Sequence, residues 1–200
     1  MAEIIFACIS PHPPIILPAV GSEEERSQVS KTINSLKYLG EEIEKLTPDK
    51  IIISSPHQDW GFDVPLFFLA KDFKGEIKKI LIGLGDPRDY FERGKNFQTG
   101  KGRIAIIASG DLSHCLREDG PYGFHPDGPK FDKEFIQALK SKDLEKIFQL
   151  DKLYPQAAEC GLRSFCFALG ILEGNNVDWH PKILSYEAPF GVGYLVARLL

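Results

Sequence analysis

The sequence predicts an α/β protein, with a central sheet, largely parallel or mixed, flanked by helices. Short Ile- and Phe-rich runs alternate with longer stretches of helical periodicity. The first strand–helix–strand passage has the length of a βαβ unit, which places its two strands parallel. Both of those strands end in the same tripeptide, Ser-Pro-His.

The elements follow in order. Residues 3–9 (EIIFACI) form an apolar run that reads as a buried strand. The proline-rich SPHPPIILP after it can continue neither a strand nor a long helix. Ser22 stands three residues before Glu25, a capping-box pattern. Val29, Ile33, Leu36, Ile43 and Leu46 then recur at helical spacing, so one helix is expected from about residue 22 to 46. IIISS (51–55) is the second buried strand, VPLFFLA (64–70) is apolar and of undecided type, and EIKKILIGL (76–84) reads as a strand. DPRDYFERGKNF fits a short helix, and GRIAIIASGDLSH (102–114) is the clearest strand, closing on a glycine turn. A Gly/Pro-rich loop (REDGPYGFHPDGPKFD) precedes a helix marked by Phe131, Phe135, Ile136 and Leu139. A second helix starts at an Asp143 N-cap, CGLRSFCFALGIL is an apolar helix, and residues 182–200 read as one or two closing strands.

Residues 1–200 are expected to form a single domain. The net charge of -4 and the absence of a basic block argue against a nucleic-acid partner. Cys8, Cys115, Cys160 and Cys166 include no CxxC pair, which removes zinc-ribbon and thioredoxin-type readings. The opening MAEIIFACIS lacks a basic region and does not read as a signal peptide. No apolar run approaches the ~20 residues of a membrane helix. A reduced, cytoplasmic protein without a membrane partner is the expectation.

Three of the five histidines close a strand: His12, His57 and His114. Ligand sites in open α/β sheets form at the carboxyl ends of parallel strands, so these imidazoles, distant in sequence, can share one rim. Proline fixes its own φ and restricts the residue before it, which helps hold a following side chain in one direction. Imidazole suits Zn, Fe, Cu or Ni, and two histidines with one carboxylate make an oxygen-activating ferrous site. Glu159 and Glu187 sit among apolar residues, where an unpaired carboxylate would be costly, and Asp59 and Asp111 lie beside histidines. His125, in the Gly/Pro loop, is a candidate substrate contact, and His180 reads as a surface residue.

At these residues the chain resembles the class III extradiol ring-cleavage dioxygenases of the B-subunit type and the related Memo-like proteins. The matching segments are ISPHPPIILP, IIISSPHQ, DWGFDVPLFFL, IASGDLSH, DGPYGFHPDGPKFD, AAECGLRS and LSYEAPFGVGYLVA, in family order across nearly the whole chain. The resemblance implies an α/β fold with Fe(II) at the strand ends, a site that would also admit Zn. It implies His12 and His57 as metal ligands with Glu159 as the carboxylate ligand. It gives His114 as the acid/base residue and His125 and Asp111 as substrate-orienting residues. In Memo-like proteins a cysteine stands near the carboxylate position, which keeps Cys160 in view beside Glu187. The implied reaction is cleavage of a small aromatic diol by O2. The alternative is a Memo-like metal protein without ring cleavage, with a redox or protein-interaction role. Self-association into a homo-oligomer is left open. One departure is visible: the family usually carries more chain after the second histidine ligand, whereas here His57 and Asp59 are almost contiguous.

Overall fold

A computed structural model of the protein describes residues 2–200. One six-stranded sheet runs through it, built from β1 (Ala2–Ser10), β2 (Lys50–Ser55), β3 (Glu76–Leu81), β4 (Gly102–Ser109), β5 (Lys182–Glu187) and β6 (Tyr194–Arg198), in the order β3-β2-β4-β1-β6-β5. The first four strands in that order pair in parallel, and β6 turns antiparallel to both β1 and β5. The sheet is therefore mixed. β1 and β2 run the same way, as a βαβ unit requires, but they are not neighbours, because β4 lies between them.

Alternation along the strands assigns each side chain to a layer. Phe6 and Cys8 of β1, Ile51 and Ile53 of β2, and Ala105 and Ile107 of β4 face one core. That core is closed by Leu36, Leu39 and Ile43 of α2 (Ser30–Leu46) and by Phe62, Val64 and Leu69 of α3 (Asp59–Leu69). Ala7, Ile9, Ile52, Ile104 and Ile106 face the other. It is covered by α4 (Pro87–Lys95), α5 (Asp127–Ser141), α6 (Leu144–Leu153) and α7 (Leu162–Gly174). Both faces of the central strands are buried, which explains their continuous apolar runs.

The single helix expected over 22–46 is two. α1 (Glu23–Gln28) opens with the Ser22–Glu25 capping box and ends at Val29, whose backbone leaves the helical region at φ -117° and ψ 29°. Val29 is buried, and α2 restarts beyond it. The free amide of Thr32 is satisfied from far away, since Thr32 N and Oγ1 both donate to Glu187 Oε2 at 2.7 Å. The undecided segment 64–70 lies largely within α3, which carries Pro65 in its interior. The strand expected in the GRIAIIASGDLSH segment ends at Ser109, immediately before the glycine turn at Gly110. Residues beyond it are tied to the turn before β6, with Leu112 N donating to Gly193 O and Gly193 N to Ser113 O, both at 2.8 Å. The closing segment resolves into two strands, β5 and β6.

Candidate metal centre

Strand register brings the histidines together. In the parallel pairings Ser10 sits opposite Ser109, and Ser54 opposite Ala108. The carboxyl ends of β1, β4 and β2 therefore finish level, with His12 two residues past the first and His57 two past the last. The His12 and His57 ring centroids are 5.2 Å apart and nearly perpendicular. Ser55 sets the direction of His57: its hydroxyl accepts from His57 N at 3.1 Å and donates to His57 O at 2.9 Å. α3 presses on this turn through Gly61, where a Cβ would lie 2.1 Å from Ser55 Oγ and 2.9 Å from His57 Cβ. Only glycine lets the helix start so close to the histidine.

His12 is buried, with its Nδ1 2.9 Å from Ser109 Oγ. Burial, with the nearby His57 adding to it, pushes its pKa down to about 3. The ring is thus neutral near pH 7, the form in which a histidine nitrogen ligates.

The third corner is Cys160. Its Sγ is 3.5 Å from His12 Nε2, and the donor atoms of His12, His57 and Cys160 all lie within 4.8 Å of one another. Two glycines hold it there. A Cβ on Gly110 would come within 2.2 Å of Gly161 Cα, so the loop after β4 and the loop before α7 touch backbone to backbone. Asp111 N then donates to Cys160 Sγ at 3.3 Å, and Gly161 N to Asp111 O at 3.0 Å. Burial, reinforced by Asp111, holds the Cys160 thiol well above the ordinary cysteine range. A cation at this point would reverse that preference and favour the thiolate.

Glu159, which the resemblance implies as a ligand, is not part of this cluster. Its Oε2 accepts from Leu162 N and its Oε1 from Arg163 Nη1, both at 2.7 Å. Arg163 also reaches Asp151 at 2.8 Å, so the carboxylate closes a partly buried ion network under α7. Ala158, in the left-handed region at φ 52°, turns the chain just before this divergence. Glu187 is likewise committed, as the anchor for α2.

Asp111 and His114 stand beside the triad and form a second group with Cys160 whose donor atoms also lie within 4.8 Å of one another. Asp111 Oδ1 accepts from His12 N at 3.0 Å, and its Oδ2 is 3.8 Å from His12 Nε2. Burial pushes its pKa up to about 6, against the pull of His114. His114 Nδ1 is buried and has no hydrogen-bond partner. Burial lowers the pKa of this imidazole, and Asp111 opposes the shift. The loop carrying it is pinned by Asp132, whose carboxylate takes Ser113 N at 2.8 Å and the Tyr186 hydroxyl at 2.5 Å. Half-exposed Trp60 lies 5.2 Å from His57 with the rings tilted by 31°, and exposed Tyr122 lies 5.4 Å from His114. His125 accepts at Nδ1 from Asp127 N, the first residue of α5, and is in neither cluster. His180 is exposed and pairs with Asp178.

Two supporting residues escaped the sequence reading, Ser109 and Gly61; of the three candidates it kept open for the third corner, Cys160, Glu159 and Glu187, the cluster includes only Cys160. Two imidazoles and a thiol form a borderline-soft donor set. It fits zinc, iron or copper and not magnesium or calcium, which take oxygen ligands.

Residues 58–197 match the model of the family described as the catalytic LigB subunit of aromatic ring-opening dioxygenase. The chain belongs to this family. The LigB match includes Asp111, His114, Glu159 and Cys160 and begins one residue after His57. Protein CA_C1420 of Clostridium acetobutylicum is 32% identical over 265 aligned positions, which cover 94% of this chain and 56% of that protein. The chain thus spans little more than half the length of that relative. The aligned stretch is longer than the 200 residues present here, so the relative carries positions within it that this chain lacks. The crystal structure of the uncharacterized protein JW3007 from Escherichia coli K12 shares the fold. Its TM-score is 0.64 at 16% identity, covering 98% of this chain and 99% of that one. Among the described residues no helix is long and apolar enough to cross a membrane.

Proposed function

We propose that this LigB-family chain is a metal-dependent dioxygenase that opens a catechol-type aromatic diol with O2, holding its metal through His12, His57 and Cys160. The carrying observation is the convergence of those three donor atoms next to a buried His114 nitrogen without a partner. When bound, an iron(II) ion would acidify a diol hydroxyl and make reaction with O2 accessible. His114 takes the hydroxyl proton and returns it to the product, the ordinary acid/base work of an imidazole near neutral pH. Asp111 favours the protonated His114 that this transfer creates. Trp60 and Tyr122 offer aromatic surfaces beside the two histidines for a planar ring. Both oxygen atoms enter the product, so no external reductant is consumed.

The test is anaerobic iron loading, followed by O2 and a panel of catechols, with the yellow ring-opened product read by absorbance. His114→Ala should keep the metal and lose about 100-fold or more in turnover. An iron-loaded protein silent on the whole panel would refute ring opening. A second reading, a Memo-like metal protein without ring cleavage, is favoured by the thiol at the corner where ferrous oxygenases use a carboxylate. Stoichiometric metal with no turnover on that panel is its signature.

A further inference from the structure

His12 has two ring nitrogens, and only one can face a metal while the other carries the proton. Its Nδ1 meets Ser109 Oγ at 2.9 Å. The Ser109 hydroxyl has a single hydrogen, and it points at the carbonyl oxygen of Gly61. A carbonyl can only accept, so the hydroxyl hydrogen goes there. The Ser109 oxygen is then left to accept from His12, and the ring proton sits on Nδ1. Nε2 keeps its lone pair, directed toward Cys160.

The Gly61 carbonyl is available for a reason written into the sequence. In α3 the residue that would donate to it is the one four positions on, and that residue is Pro65, which has no N–H. The proline ring also crowds that carbonyl and tilts it off the helix. A helix-interior proline would normally be a defect. Here it frees one oxygen, and that oxygen is the one seated on the Ser109 hydroxyl.

We propose that Pro65, the Gly61 carbonyl and Ser109 form a relay that fixes the His12 tautomer and thereby aims Nε2 at the metal. Ser109 and Pro65 are positioning residues in this relay, which builds on the metal-binding reading above. The two can fail separately, because the tautomer exists in the metal-free protein.

The experiment is long-range proton–nitrogen NMR on the metal-free full chain with 15N-labelled histidine, paired with metal affinity from competition with a chromophoric chelator. Wild type should show His12 protonated at Nδ1 alone. Ser109→Ala should shift the ring toward the mixture of a free imidazole and weaken metal binding about 10- to 100-fold. Ser109→Thr, which keeps the hydroxyl, should restore both. Pro65→Ala supplies a competing helix donor to Gly61 and should fall between wild type and Ser109→Ala in tautomer ratio. Thermal melts would check that each variant is folded. A wild-type ring protonated at Nε2 overturns the relay, as does Ser109→Ala with an unchanged ring spectrum. An unshifted Pro65→Ala spectrum removes Pro65 and overturns the proposal as stated. A wild-type ring protonated at Nδ1 in a protein that binds no metal would sustain the relay and refute the metal reading.

Discussion

Glu159 and Cys160 are neighbours in sequence, but only Cys160 stands at the third corner, and substituting them one at a time separates their roles. Cys160→Ala removes the sulfur 3.5 Å from His12 Nε2 and leaves two imidazole donors. Four-ligand structural zinc sites bind with roughly 10–16 kcal/mol, so one donor accounts for about 2.5–4 kcal/mol. Loss of the thiol should therefore weaken metal binding by about 100-fold or more. Glu159→Gln acts elsewhere. It keeps an oxygen for Leu162 N but removes the charge partner of Arg163, whose remaining acceptors are Asp151 and the Gly85 carbonyl. Because Arg163 keeps those two acceptors, losing this charge-assisted hydrogen bond should cost about 1–2 kcal/mol of stability, with metal affinity unchanged within a small factor. Chelator competition and thermal melting on both variants give the two readouts. A Glu159→Gln protein that loses its metal beside a Cys160→Ala protein that keeps it would refute the geometry.

Gly61→Ala places a methyl 2.1 Å from Ser55 Oγ, so the turn carrying His57 must shift. The expected outcome is a loss of about 1–3 kcal/mol in denaturant unfolding together with weakened metal binding, and a variant as stable and as tight as wild type would count against the close approach. Asp132 provides a pH test. Burial raises its carboxyl to about 7, so the fold favours the protonated form. Stability from this group is complete below about pH 4 and is lost as pH rises through about 7, by at most about 4 kcal/mol. Asp132→Asn should flatten that part of the stability-versus-pH curve, and an unchanged slope would show that Asp132 is not its source.

The sequence made the rim legible because its signals are local. A Ser-Pro-His tripeptide at the end of an apolar run needs only a parallel strand to place its ring, and β1 and β2 supply that. What stayed hidden depends on segments far apart. The insertion of β4 between them brings Ser109 under His12, a contact across 97 residues. The break at Val29 rests on Glu187, which lies 155 residues from Thr32. The position of Cys160 depends on Gly110 meeting Gly161 and on the left-handed backbone at Ala158, neither of which periodicity reveals. Glu159 sits among apolar residues, and that is a sound sign of a satisfied carboxylate. Its partner is Arg163, one helical turn along, a spacing as typical of an ion pair as of a structural cap.

X-ray absorption at the metal edge of the loaded protein reads the donor set directly. One sulfur at about 2.3 Å and two imidazole nitrogens at about 2.0–2.1 Å are expected for zinc, with the sulfur shell absent in Cys160→Ala. A first shell of nitrogen and oxygen alone in the unaltered protein would contradict a centre built from His12, His57 and Cys160.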